Sequence, residues 1–170
     1  MSAGDLTVAG YVAWLGLLLA ARGADLLSTW IATPTLLLEG NPFVRRLGWN
    51  GSIVLNLIAS AECALLPTAA VVVITTSLLV AARNFQSAWI MHTWGEEAYR
   101  DWYAARLRET RLPLYLFCLA GQCLPVAAIG TALIAFSRAD SLPFAIGLGL
   151  IVYPVAVLLY SGLAVWRIRR

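Results

Sequence analysis

The sequence contains no lysine and a single histidine, His92. Charged residues make up 12% of its 170 positions, against about 25% in an average soluble domain. One histidine excludes a bis-histidine haem site and any zinc site built on several histidines. The three cysteines, Cys63, Cys118 and Cys123, form no CxxC pair and sit inside apolar runs. They read as packing residues, not as a disulfide or metal framework. The chain also lacks a nucleophile–base pair and a phosphate-binding glycine loop. Its net charge of +3 is small and scattered, which argues against a nucleic-acid partner. No metal or cofactor is expected.

What fills the chain instead is apolar. Hydrophobic residues make up 61% of it, and the mean hydropathy is +0.78. A spanning helix needs about 20 mostly apolar residues. Four stretches qualify, over residues 6–38, 52–82, 114–136 and 143–166. The fold class expected is all-α, an integral membrane four-helix bundle forming one domain over 1–170. The lipid bilayer is its first partner. Each run contains or adjoins a proline: Pro34, Pro67, Pro125 and Pro154. A proline inside a helix removes one backbone bond, which membrane helices tolerate when neighbours re-satisfy the carbonyl. The segment before the first run carries Asp5 and no basic residue, so that run reads as an uncleaved helix.

Arginine sets orientation. Eight arginines lie between runs two and three or after run four, and three lie in the other two turns. The positive-inside bias then places both termini and the long middle segment in the cytoplasm of an inner-membrane, multi-pass protein. That middle segment holds a capping-box pattern, Thr93-Trp94-Gly95-Glu96. It predicts an amphipathic cytoplasmic helix over about 94–110, stopping before Pro113. Trp94, Tyr99, Trp102 and Tyr103 fall on one face, which suits a helix lying at the membrane interface.

Ionisable residues inside the apolar runs carry the functional question, because a charge at the bilayer centre costs roughly 2.5–3.5 kcal/mol and usually pairs. Arg22 and Asp25 are three apart on one helix face, and Thr29 continues it. Counting 1.5 Å per residue puts Arg22, Asp25, Glu62 and Gln122 near the middle of the bundle, at depths of roughly 14–24 Å. A buried Arg22–Asp25–Glu62 network with Gln122 and Thr29 as hydrogen-bond partners is expected. It serves either as a static lock on helix packing or as a proton, ion or ligand site.

A second cluster, Glu39-Gly40-Asn41-Pro42, reads as a turn in which Asn41 closes an Asx-turn and Pro42 starts the next helix. Its relation to Asp25 depends on Pro34. A helix continuous through Leu38 would hold Asp25 and Glu39 roughly 21 Å apart, whereas a break brings them together.

Asp25-x-x-x-Thr29 followed by Glu39-Gly40-Asn41-Pro42 resembles a family of small prokaryotic multi-pass membrane proteins of unknown function, in which an Asp…Thr helix leads into a Glu-x-Asn-Pro turn. The likeness covers about residues 15–80 and implies a membrane fold but no chemistry. Three roles are compatible with the residues. The leading one is a non-catalytic interaction or accessory subunit, with a membrane-protein partner or a homo-oligomer. The second is a proton, ion or small-solute transporter using Asp25, Arg22 and Glu62. The third is a membrane enzyme acting on a lipid or isoprenoid through Asp25 and Glu39.

Overall fold

The computed structural model describes residues 7–169; Asp5, Leu6 (where the first run was expected to begin) and Arg170 lie outside the described residues. Described residues form six helices: α1 Val8–Ala32, α2 Pro42–Cys63, α3 Pro67–Trp94, α4 Glu96–Glu109, α5 Leu112–Ala135 and α6 Leu142–Arg169. Four of them, α1, α3, α5 and α6, are long and apolar enough to cross a membrane. Large apolar side chains such as Trp30, Phe117, Leu124 and Ile129 are exposed on their outer faces. That is a lipid-facing surface, since a water-soluble chain rarely exposes so much contiguous apolar area.

Prolines end helices here more often than they bend them. α1 stops at Ala32, and Thr33 takes an extended φ of −149° ahead of Pro34. The residue before a proline clashes with its ring in the α conformation, so the helix closes there and does not reach Leu38. The expected single run over 52–82 is likewise two helices. Leu66, before Pro67, has φ −122° and ψ 93°, and the chain reverses over 64–66. Pro67 was expected to kink a continuous helix; it starts a new one, at a first-turn position where its missing N–H costs nothing. Pro125 and Pro154 do lie inside α5 and α6.

This division changes the directions of the helices. α1 and α3 run parallel: Arg22 meets Ser77, and Ser28 and Thr29 meet Asn84. α2 runs back between their ends, with Trp49 bonded to the Pro34 carbonyl at one end and Tyr11 to the Ala61 carbonyl at the other. α6 is parallel to α3, through Thr76 with Gly149 and Arg83 with Ser161. α5 is antiparallel to α6. They approach closely at Gly130 and Gly147, where a Cβ on either would fall 2.8 Å from the other's carbonyl oxygen. The start of α1 and the end of α6 therefore lie at opposite ends of the bundle, where four crossings would have put them together.

α4 lies at the end shared by the C-termini of α1, α3 and α6. Arg108 Nε donates to the Ile168 carbonyl at 3.2 Å, and Arg169 Nη2 donates to the Leu107 carbonyl at 2.8 Å. The capping box does not form. Thr93 is still inside α3, where its hydroxyl donates to the Trp89 carbonyl, and Gly95 at φ 80° separates the two helices. Arg83, expected in the polar segment, also lies within α3, so the polar segment begins about ten residues later than the charge pattern implied.

Candidate functional site in the seam between α1, α2 and α3

Arg22 and Asp25 are paired as their spacing requires, with Nη1 and Oδ2 2.9 Å apart. Both are partly buried. The same Nη1 donates to Ser77 Oγ at 3.0 Å, and Arg22 Nε donates to Asn56 Oδ1. Asn56 is oriented in turn by donating from Nδ2 to the Ser52 carbonyl. One turn along α1, Asn84 Nδ2 reaches both Ser28 Oγ and Thr29 Oγ1 at 3.4 Å. The pair thus has partners on α2 and α3, which lowers the cost of holding charge at membrane depth. Arg22 is ten residues from the end of α1, or about 15 Å along its axis.

Two expected members are elsewhere. Glu62 is exposed near the end of α2, and Gln122 is exposed on α5, which packs on α6 and not on α1. Asn56 stands level with Arg22, so Glu62 lies about 9 Å farther along α2. The places expected for Glu62 and Gln122 are taken by Asn56, Ser77 and Asn84. A signal for α2 was present in its spacing: Ser52, Asn56 and Ser60 recur every four residues and so share one face.

That face borders a cavity of about 420 Å³, lined by Arg22, Asn41, Ser52, Asn56 and Ser60 together with apolar residues such as Leu47, Leu55 and Val73. The side-chain oxygens of Ser52 and Ser60 are buried without a hydrogen-bond partner among the described residues. Buried polar groups are normally satisfied, so two orphan hydroxyls beside a cavity mark a place for a water or a polar ligand. α2 touches α1 and α3 only sparsely, while α1 and α3 pack along their length.

The 33–41 turn closes the seam at the α4 end. The break at Thr33 takes Glu39 off the axis of α1, into a turn closed by the Leu36 N–H to Thr33 carbonyl and Glu39 N–H to Leu36 carbonyl bonds. Glu39 Oε1 accepts from the Asn41 N–H at 2.7 Å, and Asn41 Oδ1 accepts from the Phe43 N–H at 2.9 Å, so Asn41 caps α2 with Pro42 in its first turn. Burial pushes the Glu39 carboxyl above its usual range, against the N–H groups of Asn41 and Gly40 and the charge of Arg45.

Glu96 is the residue that sequence reasoning misplaced. Its carboxylate accepts from the Thr33 hydroxyl at 2.6 Å, the Thr35 N–H at 2.8 Å, the Thr35 hydroxyl at 2.9 Å and the Leu37 N–H at 3.1 Å. Between those N–H groups Leu36 sits buried at φ 61°. A left-handed residue turns successive N–H groups to one side and makes an anion-binding concavity, which the carboxylate fills. Desolvation raises the Glu96 pKa, but these hydrogen bonds outweigh it and hold the carboxyl below its usual range.

On α4 the expected aromatic residues do meet. Tyr99 and Tyr103 stack with ring centres 6.2 Å apart, and Trp102 meets Trp94 edge-on at 5.3 Å, although Trp94 belongs to α3. Burial raises the pKa of both tyrosines, and the neighbouring Tyr115 adds to the rise at Tyr103. No protein-family model matches the chain, and no curated protein or solved structure matches it either.

Proposed function

We propose that the protein moves protons, alone or coupled to a small polar solute, along the seam between α1, α2 and α3. The observation that carries this reading is the cavity. Arg22, the cation of the Arg22–Asp25 pair, lines a cavity of about 420 Å³ whose α2 wall is the Ser52, Asn56 and Ser60 stripe. From Ser52 to Ser60 that stripe covers about 12 Å of helix. Glu39 and Asp25 supply two carboxylates towards the α4 end. A carboxylate, an ion pair and hydroxyls in file inside a bundle are the groups from which membrane proton relays are built. Asp25, Thr29, Glu39 and Asn41, which carry the resemblance to the Asp…Thr/Glu-x-Asn-Pro family, all lie on or beside this seam, and membership of that family is part of the same proposal.

In this reading the straight part of α2, residues 49–63 beyond the kink at Gly48, is a short fifth membrane segment of about 22 Å in a cell membrane. Among the described residues, Arg45, Arg46, Arg100, Arg106, Arg108, Arg111, Arg167 and Arg169 lie towards the α4 end, and Arg138 lies at the other. That division supports a cytoplasmic α4 end under the positive-inside bias. It leaves the start of α1 outside, in place of the two cytoplasmic termini first expected. The test is proton movement into proteoliposomes holding a pH-sensitive dye under an imposed gradient. Wild-type protein is expected to speed acidification, and Asp25→Asn to abolish the effect. A wild type no faster than empty vesicles, or an Asp25→Asn variant equal to wild type, overturns the reading.

An accessory-subunit or homo-oligomer role is the second reading. The sparse packing of α2 favours it, because Ile53, Val54, Leu57 and Ile58 form an outward apolar face that a partner helix would cover. Cross-linking from Ile58→Cys in membranes tests this, and recovery of monomer alone counts against it.

A further inference from the structure

A second cavity lies at the other side of the molecule, between the start of α5 and the end of α6. It is an open groove of about 470 Å³, lined by Leu116, Leu119, Gly162, Val165, Trp166 and Arg169. Its walls are almost wholly apolar. It shares no residue with the α1–α2–α3 seam.

We infer that this groove is a binding site for a phospholipid with a net negative headgroup, one acyl chain lying between α5 and α6. The charges argue for that occupant. Arg169 lines the groove, Arg108, Arg111 and Arg167 lie within four residues of its lining in sequence, and no carboxylate among the described residues forms an ion pair with any of the four. Three of the four acids of α4 are engaged otherwise, and the fourth, Glu97, lies in its first turn, at the end of the helix away from Arg108. Asp101 pairs with Arg100, Glu109 pairs with Arg106, and Glu96 is bound to the 33–37 turn. The Arg169 end of the groove therefore keeps a positive excess beside an apolar slot. Arg169 is also fixed in place, since its guanidinium donates to the Leu107 and Thr110 carbonyls. Basic pockets between membrane helices take anionic headgroups in this way.

Gly162 supplies a clean probe. A Cβ there would meet nothing within 4 Å, so a larger residue enters the groove without displacing a helix. The experiment is native mass spectrometry of delipidated protein titrated with phosphatidylglycerol or phosphatidylcholine. Wild type is expected to retain phosphatidylglycerol in preference. Gly162→Leu is expected to lose that retention while keeping the wild-type melting temperature. Arg111→Gln and Arg167→Gln, neither of which holds α4, should each weaken phosphatidylglycerol binding by roughly fivefold and leave phosphatidylcholine unchanged. Glycerol phosphate should not compete, because it lacks the chain. Equal retention of both lipids by wild type, full retention by Gly162→Leu, or competition by glycerol phosphate overturns the site. None of these outcomes depends on proton movement through the seam.

Discussion

Glu96 and Thr33 are 63 positions apart, yet the Glu96 carboxylate accepts the Thr33 hydroxyl at 2.6 Å. That bond and its three companions pin the turn after α1 to the first residue of α4. They also hold Leu36 in a left-handed conformation that costs a non-glycine residue about 1–2 kcal/mol. Glu96→Ala releases several charge-assisted bonds at once. It should destabilise the protein by about 1–3 kcal/mol, whereas Glu97→Ala next to it, exposed and outside the clasp, should change little. Melting temperatures of the two variants in one detergent make the comparison.

The same clasp gives a signed pH dependence. The Glu96 carboxyl is held below its ordinary value of 4.5 in the folded protein. A depressed carboxylate contributes stability that is fully present above its unfolded pKa and is lost as pH falls through the folded one. The stability gap between wild type and Glu96→Gln should therefore be constant from neutrality down to about pH 5 and close below it. A gap that widens on acidification contradicts the assignment.

Arg22 and Asp25 should behave as a unit. Removing one leaves the other charged at membrane depth, which costs about 3–5 kcal/mol for a buried pair. Asp25→Ala is expected to be the more damaging change, and Arg22→Met combined with Asp25→Leu to recover much of the loss. Recovery of the fold without recovery of proton movement would separate the pair's structural role from its transport role. A double variant as unstable as Asp25→Ala alone would mean that Arg22 has another indispensable partner.

What could be read from the sequence was local. Arg22 and Asp25 met because three residues of helix fix their geometry, and Asn41 with Pro42 formed their turn because turn chemistry spans few residues. Glu62 and Gln122 were misplaced because their depth depends on which helices are neighbours and in which direction they run. For Glu62 that error traces to Pro67, whereas Gln122 keeps its mid-helix position and differs in facing outward on a helix packed against α6. Kink and break look alike in sequence, and the outcome rests on whether the chain can reverse at 64–66. Glu96 failed for a related reason: a local capping box competed with a distant turn, and the turn offered four donors. The all-helical membrane class was legible throughout, because it follows from composition and run length.

Glycine contacts between α5 and α6 give a packing prediction. Gly147 faces Gly130, and a side chain at either meets backbone oxygen at 2.8 Å, whereas Gly121 on α5 has open space. Small residues at such crossings let backbones approach. Gly147→Val should force the helices apart and cost about 1–3 kcal/mol, and Gly121→Val should not destabilise. Equal melting temperatures for the two would show that the crossing tolerates spreading.

The reversal at 64–66 carries the most consequential prediction. A continuous helix over 52–82 would bury Leu65 in the middle of the bilayer. Two helices put it at the end of the bundle that also carries the 136–141 turn, opposite α4. In a chain with Cys63, Cys118 and Cys123 replaced by serine or alanine, Leu65→Cys should react with a membrane-impermeant maleimide. It should do so from the same side as Ala139→Cys. Glu97→Cys should react only from the opposite side. Leu65 is already exposed, so a thiol there needs no local unfolding to react. A Leu65→Cys that stays unlabelled from both sides, while the other two label, would restore the single long crossing. It would also remove α2 as a wall of the seam, and with it the geometry on which proton movement through Arg22, Asp25 and Asn56 depends.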